Sequence, residues 1–239
     1  MSLLVRTWNL YHGRTHPQTR RLHLERMVRL MTEDRPDVVA LQEVPLWALG
    51  RLERWSGMAV RWAVTVPALL LAPLARLVTE LNPVRLRSLV SGQANVLLVS
   101  RRFELGEQRL LLLTPEVTKW EWLFERGLQQ RYCQRLELEG DGRKIVVANL
   151  HSTNNPDLAR AEARRAAEFL ADAQRVVLCG DFNAPRFALP DYSPPIDGID
   201  QILVRGLEFE RGPFQWERER RTFEGRVLSD HPPVEAVVA

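Results

Sequence analysis

Cysteine is nearly missing from this chain: 239 residues hold two, Cys133 and Cys179, far apart and in no C-x-x-C pair. A thiolate zinc site is therefore unsupported. Cys179, inside the apolar run VVLCGDF, reads as a buried reduced thiol. Long hydrophobic runs are missing too, since no segment reaches the roughly 18 apolar residues that mark a membrane-spanning helix. The first residues, MSLLVRTWNL, lack a charged stretch followed by a long apolar one, so no secretory signal is expected. Internal repeats and low-complexity linkers are absent as well. Charge of one sign is only in small surplus: net +3, pI about 9.2, with the basic excess almost all Arg. Such a balance is compatible with a phosphate-bearing partner but does not require one. What remains is an ordinary globular composition, 45% hydrophobic and 26% charged. The expectation is one domain over 1–239, monomeric and cytoplasmic, large enough to bury a sizeable core.

Short apolar runs dominate the chain. Leu3 to Leu10, Asp37 to Gln42, Gly92 to Ser100, Gln108 to Leu113, Gln130 to Leu138, Lys144 to Leu150, Arg175 to Cys179, Ile199 to Val204 and Pro233 to Val238 read as strands. Leu24, Met27, Val28 and Met31 fall at helical spacing within Thr19 to Glu33, and Pro36 follows. Trp47 to Trp55 and the Ala- and Arg-rich Leu158 to Ala171 read as two further helices. Many short strands with few helices predict a mixed α/β fold with large sheets. Strands that are apolar on both faces predict sheets covered on both sides. Val64 to Leu89, with its leucines and Pro73, reads as an interrupted core or lid helix, or as a greasy surface that meets lipid or a partner.

Polar signatures sit at the ends of these strands, where the backbone is fixed and the loop frees the side chain. The first is TWNLYHG, with Asn9, and the second LQEVP, with Glu43. A carboxylate ending a buried strand is costly unless paired or bound to a cation. VANLHSTNN carries His151. In VVLCGDFNAP, Asp181 and Asn183 are two apart and share one face of an extended strand end, while Phe182 turns into the core. An acid and an amide so placed suit a phosphate, a metal-bound water and an attacking water together. Gly180 before them permits close backbone approach. GIDQILV brings Asp200 to a strand start, and LSDHPPVEAVV brings Asp230 and His231 to the last strand.

In this order, from Trp8 to Val237, these motifs resemble the endonuclease/exonuclease/phosphatase superfamily, with GDFN and SDH the most diagnostic. The resemblance implies an α/β fold of the deoxyribonuclease I type: a four-layered sandwich of two mixed sheets face to face, flanked by helices. It implies a Mg²⁺-dependent hydrolase of phosphoester bonds, with Mn²⁺ as a possible substitute. Glu43 would be the principal metal ligand, with Asn9 and Asp230 as further metal-site residues, since Mg²⁺ prefers oxygen. Asp181 and Asn183 would orient the nucleophilic water and hold a phosphate oxygen. His231 would contact the scissile phosphate and act as a general base or an electrostatic stabiliser, with Asp200 orienting it and favouring its charged form. His151 would be a candidate general acid; which histidine is acid and which base stays open. Nucleic acid, DNA or RNA, is the leading substrate class. A small or lipid phosphoester is the rival, with peripheral lipid contact, and a catalytically inactive binding module on the same fold is the third reading.

Two departures mark this chain. The stretch from Asp181 to Asp200 is short and proline-rich, APRFALPDYSPPIDG, which favours an open cleft or a small substrate over duplex DNA contacts. For the arginine that such sites often carry, Arg126 in FERGLQQ and Arg131 in QQRYCQR are both candidates. Arg126 is preferred for its E-R-G context, and Asn95 in GQANVLLVS is a further candidate for touching substrate phosphate.

Overall fold

The computed structural model describes residues 2–19, 21–68, 74, 76–77, 90–113, 130–185 and 187–239. Two large sheets stack face to face. The first is six-stranded and contains β1 (Leu3–Asn9), β3 (Val38–Val44), β4 (Ala59–Val66), β5 (Gln93–Val99), β11 (Phe209–Gln215) and β14 (Val234–Val238), in the order β11-β14-β1-β3-β5-β4. The second is five-stranded, β10-β9-β8-β7-β6, built from β6 (Glu104–Leu112), β7 (Tyr132–Gly140), β8 (Arg143–His151), β9 (Val176–Asp181) and β10 (Asp200–Arg205). Among the described residues, β1–β3 and β8–β9 pair in parallel and the other pairs in these two sheets are antiparallel. A small third sheet joins β2 (Thr15–His16), β12 (Thr222–Phe223) and β13 (Arg226–Leu228).

Helices cover the outer faces, completing four layers. Helix α1 (Leu24–Thr32) and the short α2 (Leu52–Ser56) pack through Leu24, Met27, Met31 and Leu52 onto Trp8, Val39, Leu41, Val96 and Leu98 of the first sheet. Helix α3 (Pro156–Phe169) covers the second sheet. Asn155 caps α3, its side chain accepting from the N–H groups of Asp157 and Leu158, and Pro156 opens the first turn. Its stripe of Ala159, Ala163 and Ala166 is fully buried, and small side chains at i, i+4 and i+7 let the helix lie close on the strands.

The core between the sheets follows from strand periodicity. Alternate residues point inward: Leu3 and Val5, Val38 and Ala40, Leu97 and Val99, Leu136 and Leu138, Ile145 and Val147, Val177 and Cys179, Ile202 and Val204. Continued two residues further, the same rows become polar. Thr7 and Asn9, Gln42, Asn95 and Gln93, Gln134, Asn149 and His151, Asp181 and Asp200 are all buried. The sandwich interior is apolar at one end and polar at the other. At the join, Asn149 donates to the carbonyls of Leu41 and Val96 and accepts from Gln42, tying one sheet to the other.

Several expectations need correction. Helix α1 begins at Leu24, not Thr19. Trp47 to Trp55 is a 3₁₀ turn over Leu46–Arg51 followed by α2. Ala59–Val66 forms strand β4, so Val64 to Val66 belongs to a strand, not to the expected helix; strand β11 was not foreseen because FERGPFQ carries Gly and Pro. Most of the rest of 64–89 lies outside the described residues. Among the described residues no helix is long and apolar enough to cross a membrane. Both cysteines are free and buried, and burial pushes the Cys133 thiol up to about 12.

Candidate active site

Strand register assembles the centre of the polar end. In the parallel pair β8–β9, His151 lies beside Asp181, and in the antiparallel pair β9–β10, Asp181 faces Asp200. That level is reachable only because residue 180 is glycine: at φ 139° a Cβ there would sit 1.9 Å from the Leu150 carbonyl oxygen. Asp181 is 1% exposed. Its carboxylate accepts from Asn9 Nδ2 at 3.0 Å and from the Asn183 N–H at 3.1 Å. His151 Nε2 stands 3.6 Å from it and His231 Nδ1 3.8 Å. Asn183 donates through Nδ2 to the Ser152 carbonyl at 3.0 Å.

His231 arrives on the loop before β14. Trp8 donates to its carbonyl, Ser229 Oγ accepts from its N–H, and the Arg221 guanidinium donates to three carbonyls of the loop. Ser229 Oγ also donates to the Asn9 carbonyl at 2.7 Å, so β1 and the His231 loop are joined at the site. His231 Nδ1 pairs with Asp200 Oδ2 at 2.9 Å. Burial alone would lower the His231 pKa, but the Asp200 hydrogen bond and the charges of Asp200, Asp181 and Asp230 outweigh it and raise it to about 10. Burial pushes Asp200 up to about 6 while His231 pulls it back. His151 behaves oppositely: burial, then the charges of Arg131, His231 and His12, hold it well below the usual range. One imidazole is thus charged and the other neutral at the same pH.

Glu43 is reached by an irregularity. The β3–β5 register slips between Leu41 and Val44, and Glu43 takes φ 54°. The bulge re-aims its side chain away from the regular alternation. Its Oε2 lies 3.3 Å from Nε2 of His12, which also has a left-handed backbone at φ 54°. Asn183 and Ser229 share that conformation. Backbone strain of this kind costs about 1–3 kcal/mol per residue and gathers at functional sites. Burial raises the pKa of Glu43 and of Asp181; His231, the Asn9 amide and Arg131 oppose the rise in both.

Of the residues singled out from the sequence, Asn9, Glu43, His151, Asp181, Asn183, Asp200 and His231 come together. Asp230 is exposed, with Ser229 Oγ 3.4 Å from its carboxylate. Asn95 is buried between the sheets, donating to the Tyr132 carbonyl at 3.3 Å. Arg126 lies outside the described residues. Arg131, the candidate ranked second, is 7% exposed and acts on Glu43, Asp181 and His151. His12 was overlooked, although it stands inside TWNLYHG; the signal was an imidazole three residues past Asn9.

Among the described residues, Asp181, Asp200 and His231 each bring a ligand atom within 4.8 Å of the others, close enough to share an ion. The hydrogen bond between Asp200 and His231 makes that trio an oriented pair plus Asp181. The wider donor set fits a hard divalent cation: Glu43, Asp181 and Asp200 are enclosed oxygen donors whose burial raises their pKa, so added positive charge would settle them.

The profile of the Endonuclease/Exonuclease/phosphatase family matches residues 7–231. No curated protein matches the chain. Among solved structures, an endonuclease/exonuclease/phosphatase from Beutenbergia cavernae superimposes with a TM-score of 0.72 at 18% identity, covering 99% of this chain and 71% of the other. Truncated TDP2 from Caenorhabditis elegans gives 0.65 at 15% identity, covering 100% and 97%. A mannosyl-6-phosphatase from Bacteroides thetaiotaomicron gives 0.62 at 17% identity, covering 99% of both. At these identities the likeness concerns the fold, the deoxyribonuclease I-like sandwich.

Proposed function

This chain belongs to the endonuclease/exonuclease/phosphatase family, and from that premise we propose that it is a divalent-cation-dependent hydrolase of phosphoester bonds acting on nucleic acid. The observation that carries the reading is Asp181: a buried carboxylate aligned by Asn9 and the Asn183 N–H, with a neutral and a charged imidazole within 4 Å.

Water must attack phosphorus in line with the departing alkoxide. Asp181 is placed to orient that water and take up its proton, because Asn9 and Asn183 fix its direction. Asn183 spends one amide hydrogen on Ser152, leaving its other N–H for a phosphate oxygen. With Nδ1 on Asp200, charged His231 turns Nε2 to the cleft and holds a phosphoryl oxygen as negative charge grows. His151 enters uncharged because of burial first and the charges of Arg131, His231 and His12 second; a bound phosphate anion would offset those charges, letting His151 take a proton from solvent and give it to the departing alkoxide. Glu43 would hold the cation with Asn9 beside it, while the exposed Asp230 adds its charge from the His231 loop, and the bound ion would neutralise charge on the phosphoryl oxygens. Mg²⁺ is the ion that such carboxylates suit, with Mn²⁺ as substitute.

Nucleic acid is favoured by a pocket in which Arg51, Arg54 and Arg76 surround the Trp47 ring, with Glu25, Leu22, Leu24 and the buried Trp55 completing its wall. An aromatic ring between cations suits a strand of bases and phosphates. Arg126 and Asn95 remain proposed phosphate contacts. A lipid phosphoester is the second reading, favoured by Leu74 and Leu77, which are 52% and 51% exposed.

The test is hydrolysis of plasmid DNA, RNA, bis-p-nitrophenyl phosphate and phospholipids with Mg²⁺, with Mn²⁺ and with EDTA. EDTA-sensitive cleavage of DNA or RNA, lost in Asp181→Asn, is expected. Turnover of phospholipid alone would move the substrate to the second reading. Folded protein without turnover on any substrate would sink the hydrolase.

A further inference from the structure

His12 has no part in the roles above, yet it is 5% exposed and points its Nε2 at Glu43. Both residues adopt φ 54°, and Tyr11 beside His12 has φ 48°. Three strained residues therefore hold one imidazole against one carboxylate. A bare ion pair does not call for this. Charge-assisted N–H···O contacts close to about 2.7–2.9 Å, whereas this pair stands at 3.3 Å. Two donors that share one ion at about 2.1 Å, at octahedral or tetrahedral angles, lie about 3.0–3.4 Å apart. The imidazole also lies close enough to lower the pKa of His151, so the His12–Glu43 and His151–Asp181 pairs share one electrostatic neighbourhood.

We propose that His12 is a nitrogen ligand beside Glu43, so that the centre prefers a first-row transition ion to Mg²⁺. The inference rests on the cation-dependent reading above and refines the identity of the ion. Carboxylates alone suit Mg²⁺; an imidazole nitrogen adds a borderline donor that Mg²⁺ uses poorly and Co²⁺ or Zn²⁺ uses well. Affinity should then rise along the series from Mn²⁺ to Co²⁺ in this protein, with Mg²⁺ weakest.

The experiment uses the full chain stripped with EDTA, with Co²⁺ titrated by visible absorption and Mg²⁺ and Mn²⁺ by calorimetry. The variants are Glu43→Gln and His12→Asn. Asn is chosen because it tolerates the left-handed backbone at residue 12 better than other side chains. The wild type is expected to bind Co²⁺ most tightly. His12→Asn should lose Co²⁺ affinity by more than the roughly 10–100-fold that even an outer-shell partner is worth and change the Co²⁺ spectrum, while Mg²⁺ binding holds or improves. If Glu43→Gln abolishes binding but His12→Asn keeps the wild-type Co²⁺ affinity and spectrum, the nitrogen ligand is overturned and the cation-dependent hydrolase stands. Should folded wild type bind none of the three ions, the cation centre and this inference fall together.

Discussion

Strand β1 carries two buried charge clusters of opposite design, three residues apart. On its outer face, Arg6 is fully buried and all its contacts are answered. It donates to Glu235, to the Met31 carbonyl and to both oxygens of Asp34, and its guanidinium lies 5.0 Å from the Trp216 ring. Trp216, Arg211 and Arg220 complete Glu235, and the Arg6 hydrogen bond holds Asp34 below its usual pKa. On the inner face, Asn9 enters a cluster where burial lifts Glu43, Asp181 and Asp200. Burial is common to both. Completed pairs make the first a structural clamp; the second is left short of positive charge, which a bound cation can supply. A carboxylate raised by burial inside a cleft signals function, whereas one lowered by a fitted arginine does not.

Mutations should separate the two clusters. The largest effect is expected for Asp181→Asn: turnover is lost, while the melting temperature stays level or rises, because a carboxylate whose folded pKa is raised costs stability above that pKa. A clear fall in melting temperature would erase the distinction. His231→Ala should lower kcat by about 10²–10³-fold, with circular dichroism unchanged. Arg6→Met should do the reverse, costing stability toward the lower end of about 3–5 kcal/mol, since Arg211 and Arg220 still answer Glu235, and leaving kcat per folded molecule near that of the wild type. Urea unfolding with active-site titration would read both quantities.

The smallest effect concerns pH. His231 rises from 6.5 to about 10 on folding, so its contribution to stability is complete below pH 6.5 and fades as pH climbs through about 10. Wild type should therefore lose stability more steeply across that window than His231→Ala, measured by urea midpoints at a series of pH values. Parallel curves would mean that Asp200 does not hold a charged imidazole.

Periodicity was enough to read a mixed α/β fold with sheets covered on both faces, the helix at Met27 and Met31 and the helix before Ala171; the resemblance carried by motif order implied the two-sheet sandwich and the candidate set Asn9, Glu43, His151, Asp181, Asn183, Asp200 and His231, which the fold brings together. These were legible because strand alternation and strand-end chemistry are local properties: Gly180 and Asp181 carry their meaning within a few residues. Strand β4 was obscured by the apolar run that follows it, and β11 by Gly212 and Pro213. Tertiary structure alone decided that Arg131 and His12 join the site, that Asp230 stays exposed, and that a bulge turns Glu43 toward His12. It also decided that burial holds the His151 imidazole uncharged. Those outcomes depend on register between strands far apart in sequence and on how much water each group loses, and neither is written in the neighbours of a residue.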